Sequence, residues 1–150
     1  MPRPTDWKRK LIDDDVGLRG ILEHARRVAV LGIKPESRSY KPAHYVPRYL
    51  QEVGYQVIPV PVYYPEVSEI LGQPVLRDLR RVPPPIDVVQ LFRKPEDVPP
   101  HAEALLEAKP KAVWMQSGIR HDETAERLAK AGIEVVQDRC MMVEHKRLLA

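Results

Sequence analysis

Three short stretches place basic or small residues directly after apolar runs, and the chemistry they suggest is capture of an anion. The first, Gly32-Ile33-Lys34-Pro35-Glu36-Ser37-Arg38-Ser39-Tyr40-Lys41, follows the run Val28-Ala29-Val30-Leu31 and leads into a helical pattern. Amides left unpaired at a helix N-terminus, together with the positive end of the helix dipole, favour a phosphate. Lys34, Arg38 and Lys41 add charge there. Arg38 can fork two phosphate oxygens, and Ser39 can cap the helix or donate to a phosphate. The second stretch, Phe92-Arg93-Lys94-Pro95, repeats the arrangement after another apolar run. The third, Gln116-Ser117-Gly118-Ile119, sets a small residue and a glycine where a ligand can approach the backbone closely. Taken singly, each stretch also reads as an ordinary solvated loop, a surface charge pair or a tight turn. Their common position at the ends of apolar runs is what points to one anionic ligand.

Other chemistry is weaker or missing. Cys140 stands next to Arg139 before a helical pattern, where a thiol can become reactive, but lone cysteines at such places are more often packing residues. His145, five residues on, does not share a helix face with it. His121-Asp122-Glu123 reads as a helix start capped by Asp122, with no spaced partner for a metal. The chain has no G-x-S-x-G, H-E-x-x-H or Walker loop. A dinucleotide fold would also want G-x-G-x-x-G after the first strand, where only Gly32 stands. It would want an acid at the end of the second strand. That end reads Val60-Pro61-Val62-Tyr63-Tyr64, and the first acid is Glu66. NAD(P) is disfavoured on both counts, ADP remains an alternative occupant, and the two tyrosines can stack on a purine.

The elements that must position these stretches follow from hydrophobic periodicity. Short continuous apolar runs at 28–32, 56–60, 86–92, 112–116 and 133–137 read as strands buried on both faces. Helical patterns fill the intervals at 13–27, 42–54, 95–109, 122–131 and 142–149, with a possible short strand at Val75-Leu76 and a weak turn at 68–72. Pro42 suits a first helical turn, whereas Pro47 implies a kink or a late start. Strands alternating with helices predict an α/β domain: a Rossmann-like, doubly wound, mainly parallel five-stranded sheet with helices on both faces. In such sheets ligands bind at the carboxyl ends of the strands, at the switch point of strand order.

Composition bounds the rest. At 150 residues and 17.2 kDa the chain is one domain, 1–150, with 1–14 as an N-terminal extension. Its 24 basic and 21 acidic residues balance to +3, and the bases are not striped with aromatics, so bulk nucleic-acid binding is not expected. No run approaches the ~18 apolar residues of a membrane span. One cysteine and the lack of an apolar leader in the first ten residues suggest a cytoplasmic protein. The 16 prolines fall between apolar runs and stiffen loops, a device of heat-stable proteins.

Read together, Val28–Gly32, Arg38-Ser39-Tyr40, Gly54–Val60, Asp87-Val88-Val89, Phe92-Arg93, Val113–Gln116, Gly118 and Asp138–Met141 resemble the CoA-binding protein family. That family is the stand-alone relative of the CoA-binding N-terminal domain of succinyl-CoA synthetase alpha subunits. The likeness spans roughly residues 15–148. It implies coenzyme A, or an acyl-CoA, as ligand. By position, Gly32, Ile33, Lys34, Pro35, Arg38 and Ser39 would hold the phosphates. Val60 and Pro61 would lie against adenine or ribose, and Phe92, Arg93, Lys94, Gln116, Ser117 and Gly118 would line the pantetheine side. The chain departs from the family pattern at Pro61-Val62, where relatives carry an asparagine, and at Pro42 and Pro47. The resemblance implies a non-catalytic carrier, sensor or regulatory module, because the chain lacks the phospho-histidine and nucleotide-grasp domains of the synthetases. The alternative is a small enzyme of CoA or thiol chemistry using Cys140. Which protein, if any, it partners is left open by the resemblance.

Overall fold

A computed structural model of the chain describes residues 6–149. Five strands form one parallel sheet: β1 (Arg27–Leu31), β2 (Gln56–Val60), β5 (Val88–Leu91), β6 (Ala112–Met115) and β7 (Glu134–Val136). Their order is β2-β1-β5-β6-β7, so the chain winds outward in one direction to β2, crosses back over β1, and winds outward in the other. This is the Rossmann-like, doubly wound arrangement expected from the strand–helix alternation, and the order reverses between β1 and β5. The long connection from β2 to β5 holds a small hairpin, β3 (Glu69–Ile70) with β4 (Gln73–Pro74). The hairpin occupies the segment read as a weak turn, and no strand forms at Val75-Leu76.

Period-two alternation sends successive side chains to opposite faces. Val28, Val30, Val57, Val88, Ala112, Trp114 and Val136 face α1 (Asp15–His24), α2 (Pro42–Glu52) and α5 (Met141–Leu148). Ala29, Leu31, Ile58, Val60, Val89, Leu91, Val113 and Met115 face α3 (Ala102–Ala108), α4 (Asp122–Lys130) and the turn at Leu79–Arg81. Two buried cores therefore clasp the sheet and fix the direction of every strand end. At the opposite end of the sheet, Asp87 Oδ2 accepts the amides of Arg26 and Arg27 at 2.9 Å each, and Oδ1 lies 3.3 Å from Lys111 Nζ. That carboxylate ties the starts of β1 and β5 together. Residues 6–12 run along the far edge, where Leu11 bridges Val135 and the Ile12 amide donates to Val135 O at 2.9 Å.

Several local expectations change in the structure. The segment 95–109 begins with two 3-10 turns, because Pro95, Pro99 and Pro100 remove amide donors, and only Ala102–Ala108 is α-helical. α4 is capped by His121 Nδ1, which accepts the Thr124 amide at 3.2 Å; Asp122 is the first helical residue and not the cap. α2 starts at Pro42 as expected, but its N-cap is Lys41, with Ser39 two residues outside. Pro47 neither delays nor ends the helix. A proline at that position removes the donor to the carbonyl four residues back, that of Ala43. Ala43 O instead accepts the Lys34 amide at 3.0 Å, so the gap in the helix ladder becomes the anchor of the loop after β1.

Candidate functional site

The carboxyl ends of β1, β5 and β6 and the start of α2 enclose a cleft of about 630 Å³. It lies where the strand order reverses, which is the place ligands take in open α/β sheets. Gly32 makes the closure possible. It adopts φ +93°, and a Cβ there would lie 2.2 Å from the Phe92 carbonyl oxygen. Its amide donates to Val60 O, and the Phe92 amide donates to Leu31 O, both at 2.9 Å. The loops after β1 and β5 are thereby brought into contact at the switch point.

Nine of the fourteen residues expected from the sequence line this cleft: Gly32, Ile33, Lys34, Phe92, Arg93, Lys94, Gln116, Ser117 and Gly118. Pro35 is buried behind the first loop, and Val60 and Pro61 are buried at the end of β2. Arg38 and Ser39 lie exposed around a 3-10 turn, Glu36–Arg38. The loop amides are less open than its sequence suggests. Those of Gly32 and Lys34 are already bonded to Val60 O and Ala43 O, and Pro42 has none to offer. Side-chain cations therefore carry more of the site's positive character than backbone amides do. Lys34, Lys41, Arg93 and Lys94 line the cleft against the single carboxylate of Asp97.

The floor is neutral and apolar. Ala43, Val46, Val62 and Ile119 line it alongside Gln116. Gln116 is buried, and its Oε1 accepts Gln90 Nε2 at 3.0 Å and the Met141 amide at 2.9 Å, joining β5, β6 and the start of α5. Gly118 turns at φ +82°, and its amide donates to Asp138 Oδ1 at 2.6 Å. Cys140, half-buried, lines the same cleft.

One wall was not foreseen as such. Tyr63 and Tyr64, named at the sequence level only as possible stacking residues, line the cleft with a cation beside each ring. The Arg93 guanidinium carbon is 5.4 Å from the Tyr63 ring centroid, and Arg93 Nη1 donates to the Tyr63 hydroxyl at 3.3 Å. Lys34 Nζ is 5.7 Å from the Tyr64 centroid. Burial alone would raise the Tyr64 phenol, but hydrogen bonding from Arg38 and the charge of Lys34 outweigh it and hold the hydroxyl below its usual range. Arg93 is further held by His101, whose Nε2 accepts its Nε–H at 3.2 Å, and by Asp97 at 3.8 Å. Burial and the neighbouring Arg93 both keep His101 neutral, with its pKa below the usual histidine value. Aromatic–cation pairing between residues thirty apart has no local sequence signature, which is why sequence reasoning missed it.

A family model described as "CoA binding domain" matches residues 26–146 of the chain. The uncharacterized protein YneT of Bacillus subtilis (strain 168) is 34% identical over 128 residues, covering 85% of this chain and 91% of YneT. Among solved structures, the cell-free protein ID.343 from Thermus thermophilus superposes with a TM-score of 0.83 at 44% identity, covering 91% of this chain and all of that one. A hypothetical protein from Pyrococcus horikoshii OT3 has a TM-score of 0.82 at 33% identity, covering 100% of this chain and 99% of the other. No helix among the described residues is long and apolar enough to cross a membrane.

Proposed function

Since the chain belongs to the CoA-binding domain family, we propose that it binds coenzyme A or an acyl-CoA in the cleft at the carboxyl ends of β1, β5 and β6. Its role in this reading is that of a carrier, sensor or regulatory module of the cytoplasm. The observation that carries the reading is the charge of the cleft: four cations from two loops face one carboxylate at the switch point of the sheet. CoA has a diphosphate and a 3′-phosphate, roughly four negative charges at neutral pH by the titration of phosphate esters. Lys34 and Lys41 from the first loop and Arg93 and Lys94 from the second are suited to those phosphates. The neutral floor of Val46, Ile119 and Gln116 suits the uncharged pantetheine arm. When bound, CoA supplies a thiol that carries an acyl group as a thioester.

The magnitudes are adequate. A charge-assisted hydrogen bond contributes about 1.5–3 kcal/mol, and a micromolar ligand requires about −8 kcal/mol in all. Two or three such bonds with apolar contact along the floor reach that value after ordering costs. Calorimetry at two salt concentrations tests the reading. CoA is expected to bind in the micromolar range, more weakly at high salt, and about tenfold more weakly to Lys34→Ala or Arg93→Ala. ADP and NAD are expected to bind less well. Equal, feeble heats for CoA, ADP and NAD would remove the proposal.

Cys140 at the edge of the cleft favours a second reading, a small enzyme of thiol exchange or acyl transfer on CoA. That reading requires turnover of an acyl-CoA that Cys140→Ser abolishes. Binding without turnover leaves the carrier.

A further inference from the structure

The tyrosine wall is held by a residue outside the cleft. Arg77 lies on the connection beyond the β3–β4 hairpin, and both terminal nitrogens of its guanidinium donate to backbone. Nη1 donates to Tyr63 O at 3.0 Å, and Nη2 donates to Tyr64 O at 2.8 Å and to Val67 O at 2.6 Å. Tyr64 sits at φ +64°, a left-handed conformation that is uncommon for an aromatic residue. A non-glycine residue stays there only when its surroundings over-determine it. Three convergent donors on carbonyls at 63, 64 and 67 do so, aided by the Val67 amide, which donates to Tyr64 O at 3.1 Å. Neighbouring residues then present their rings to cations from two different loops: Tyr63 to Arg93 after β5, and Tyr64 to Lys34 after β1.

We propose that Arg77 is a positioning residue of the CoA site: by clamping three carbonyls it holds Tyr63 and Tyr64 as a wall that keeps Lys34 and Arg93 at the cleft. The proposal rests on the reading of that cleft as the CoA site. Arg77 is not among the residues that line the cleft, and its hydrogen bonds go to the backbone at 63, 64 and 67, so its influence on a ligand passes through the rings and their cations. A lysine carries a single ammonium point and cannot reproduce the planar fork. Arg77→Lys is therefore expected to be an incomplete substitute.

The test measures two properties of Arg77→Ala and Arg77→Lys. The first is the alkaline titration of tyrosine absorbance in the ligand-free protein, with Tyr64→Phe identifying the wave that belongs to Tyr64. The second is CoA affinity by calorimetry, on variants shown by circular dichroism to be folded. In the intact protein the Tyr64 wave comes below the usual tyrosine value near 10, because Arg38 and Lys34 meet the hydroxyl. Arg77→Ala is expected to move that wave upward and to weaken CoA about tenfold, with Arg77→Lys between the two. A variant that keeps the low wave and binds CoA within twofold of the parent overturns the proposal. So does a change in one property without the other, since the clamp must act through the wall. Should Arg77→Ala fail to fold, Arg77→Lys carries both measurements. If the parent itself does not bind CoA, it is the reading of the site that fails, and the titration still decides whether Arg77 positions Tyr64.

Discussion

Gly32→Ala separates backbone strain from packing at the switch point. The residue's φ of +93° is one that L side chains rarely adopt, which costs about 1–3 kcal/mol. The new methyl would also meet the Phe92 carbonyl oxygen at 2.2 Å and its carbon at 3.0 Å. Backbone cannot rotate away as a flexible side chain does, so β1 and β5 must part by most of an ångström at their ends. Overpacking of that kind costs about 1–3 kcal/mol and weakens the Phe92-to-Leu31 hydrogen bond. The expected loss is about 3–5 kcal/mol, which in a domain of this size lowers Tm by roughly 10–15 °C. Gly118→Ala is the control. It shares a positive φ, +82°, but its Cβ would meet no atom within 4 Å, so strain of about 1–2 kcal/mol acts alone. Both variants are to be unfolded in urea and by heat with far-UV circular dichroism as the probe. If Gly32→Ala costs no more than Gly118→Ala, the argument that the two strand ends need a glycine for close approach is wrong.

Two further outcomes follow from buried charge. Burial would raise the Asp87 pKa, but the amides of Arg27 and Arg26 and the charge of Lys111 outweigh it and hold the carboxyl below 3.8. Its contribution is present above the unfolded-state value and is lost as pH falls through the depressed native one, so stability is expected to drop below about pH 4. Asp87→Asn should flatten that acid limb and cost about 2 kcal/mol at neutral pH, read from urea midpoints. Glu144 is buried between Arg139 (3.1 Å) and Arg147 (2.6 Å), which also reach Asp13 and Asp15 and so tie α5 to the start of α1. Glu144→Gln is expected to destabilise by about 2–3 kcal/mol, because it removes the buried negative charge and sets an amide donor in place of one acceptor against a guanidinium; a change under 0.5 kcal/mol would mean the network contributes nothing net.

The sheet was legible because burial on both faces demands continuous apolar runs, and 28–32, 56–60, 86–92, 112–116 and 133–137 all end within two residues of the observed strands. The loops that line the cleft were legible for the same reason: Lys34, Arg93 and Ser117 come just after those runs, and a parallel sheet sends every such end to one edge. What misled was local. Ser39 and Asp122 look like helix caps, yet the caps are Lys41 and His121, since capping depends on where the chain enters the helix. Pro47 looks like a breaker, yet the carbonyl it frees is used by Lys34.

Short-range pattern thus determined the strands, the helices between them, and which residues follow each strand. Neither strand order nor pairing across the sheet lies in that pattern. That β5 crosses back to lie beside β1, so that Gly32 meets Phe92, depends on how two apolar faces share out their helices. That Arg77 grips carbonyls 10 to 14 residues away, and that two tyrosines lie against cations from separate loops, are likewise settled only when the connection from β2 to β5 packs over the strand ends. Periodicity records which side of an element is buried; what is buried against it is decided by the non-local contacts that folding makes.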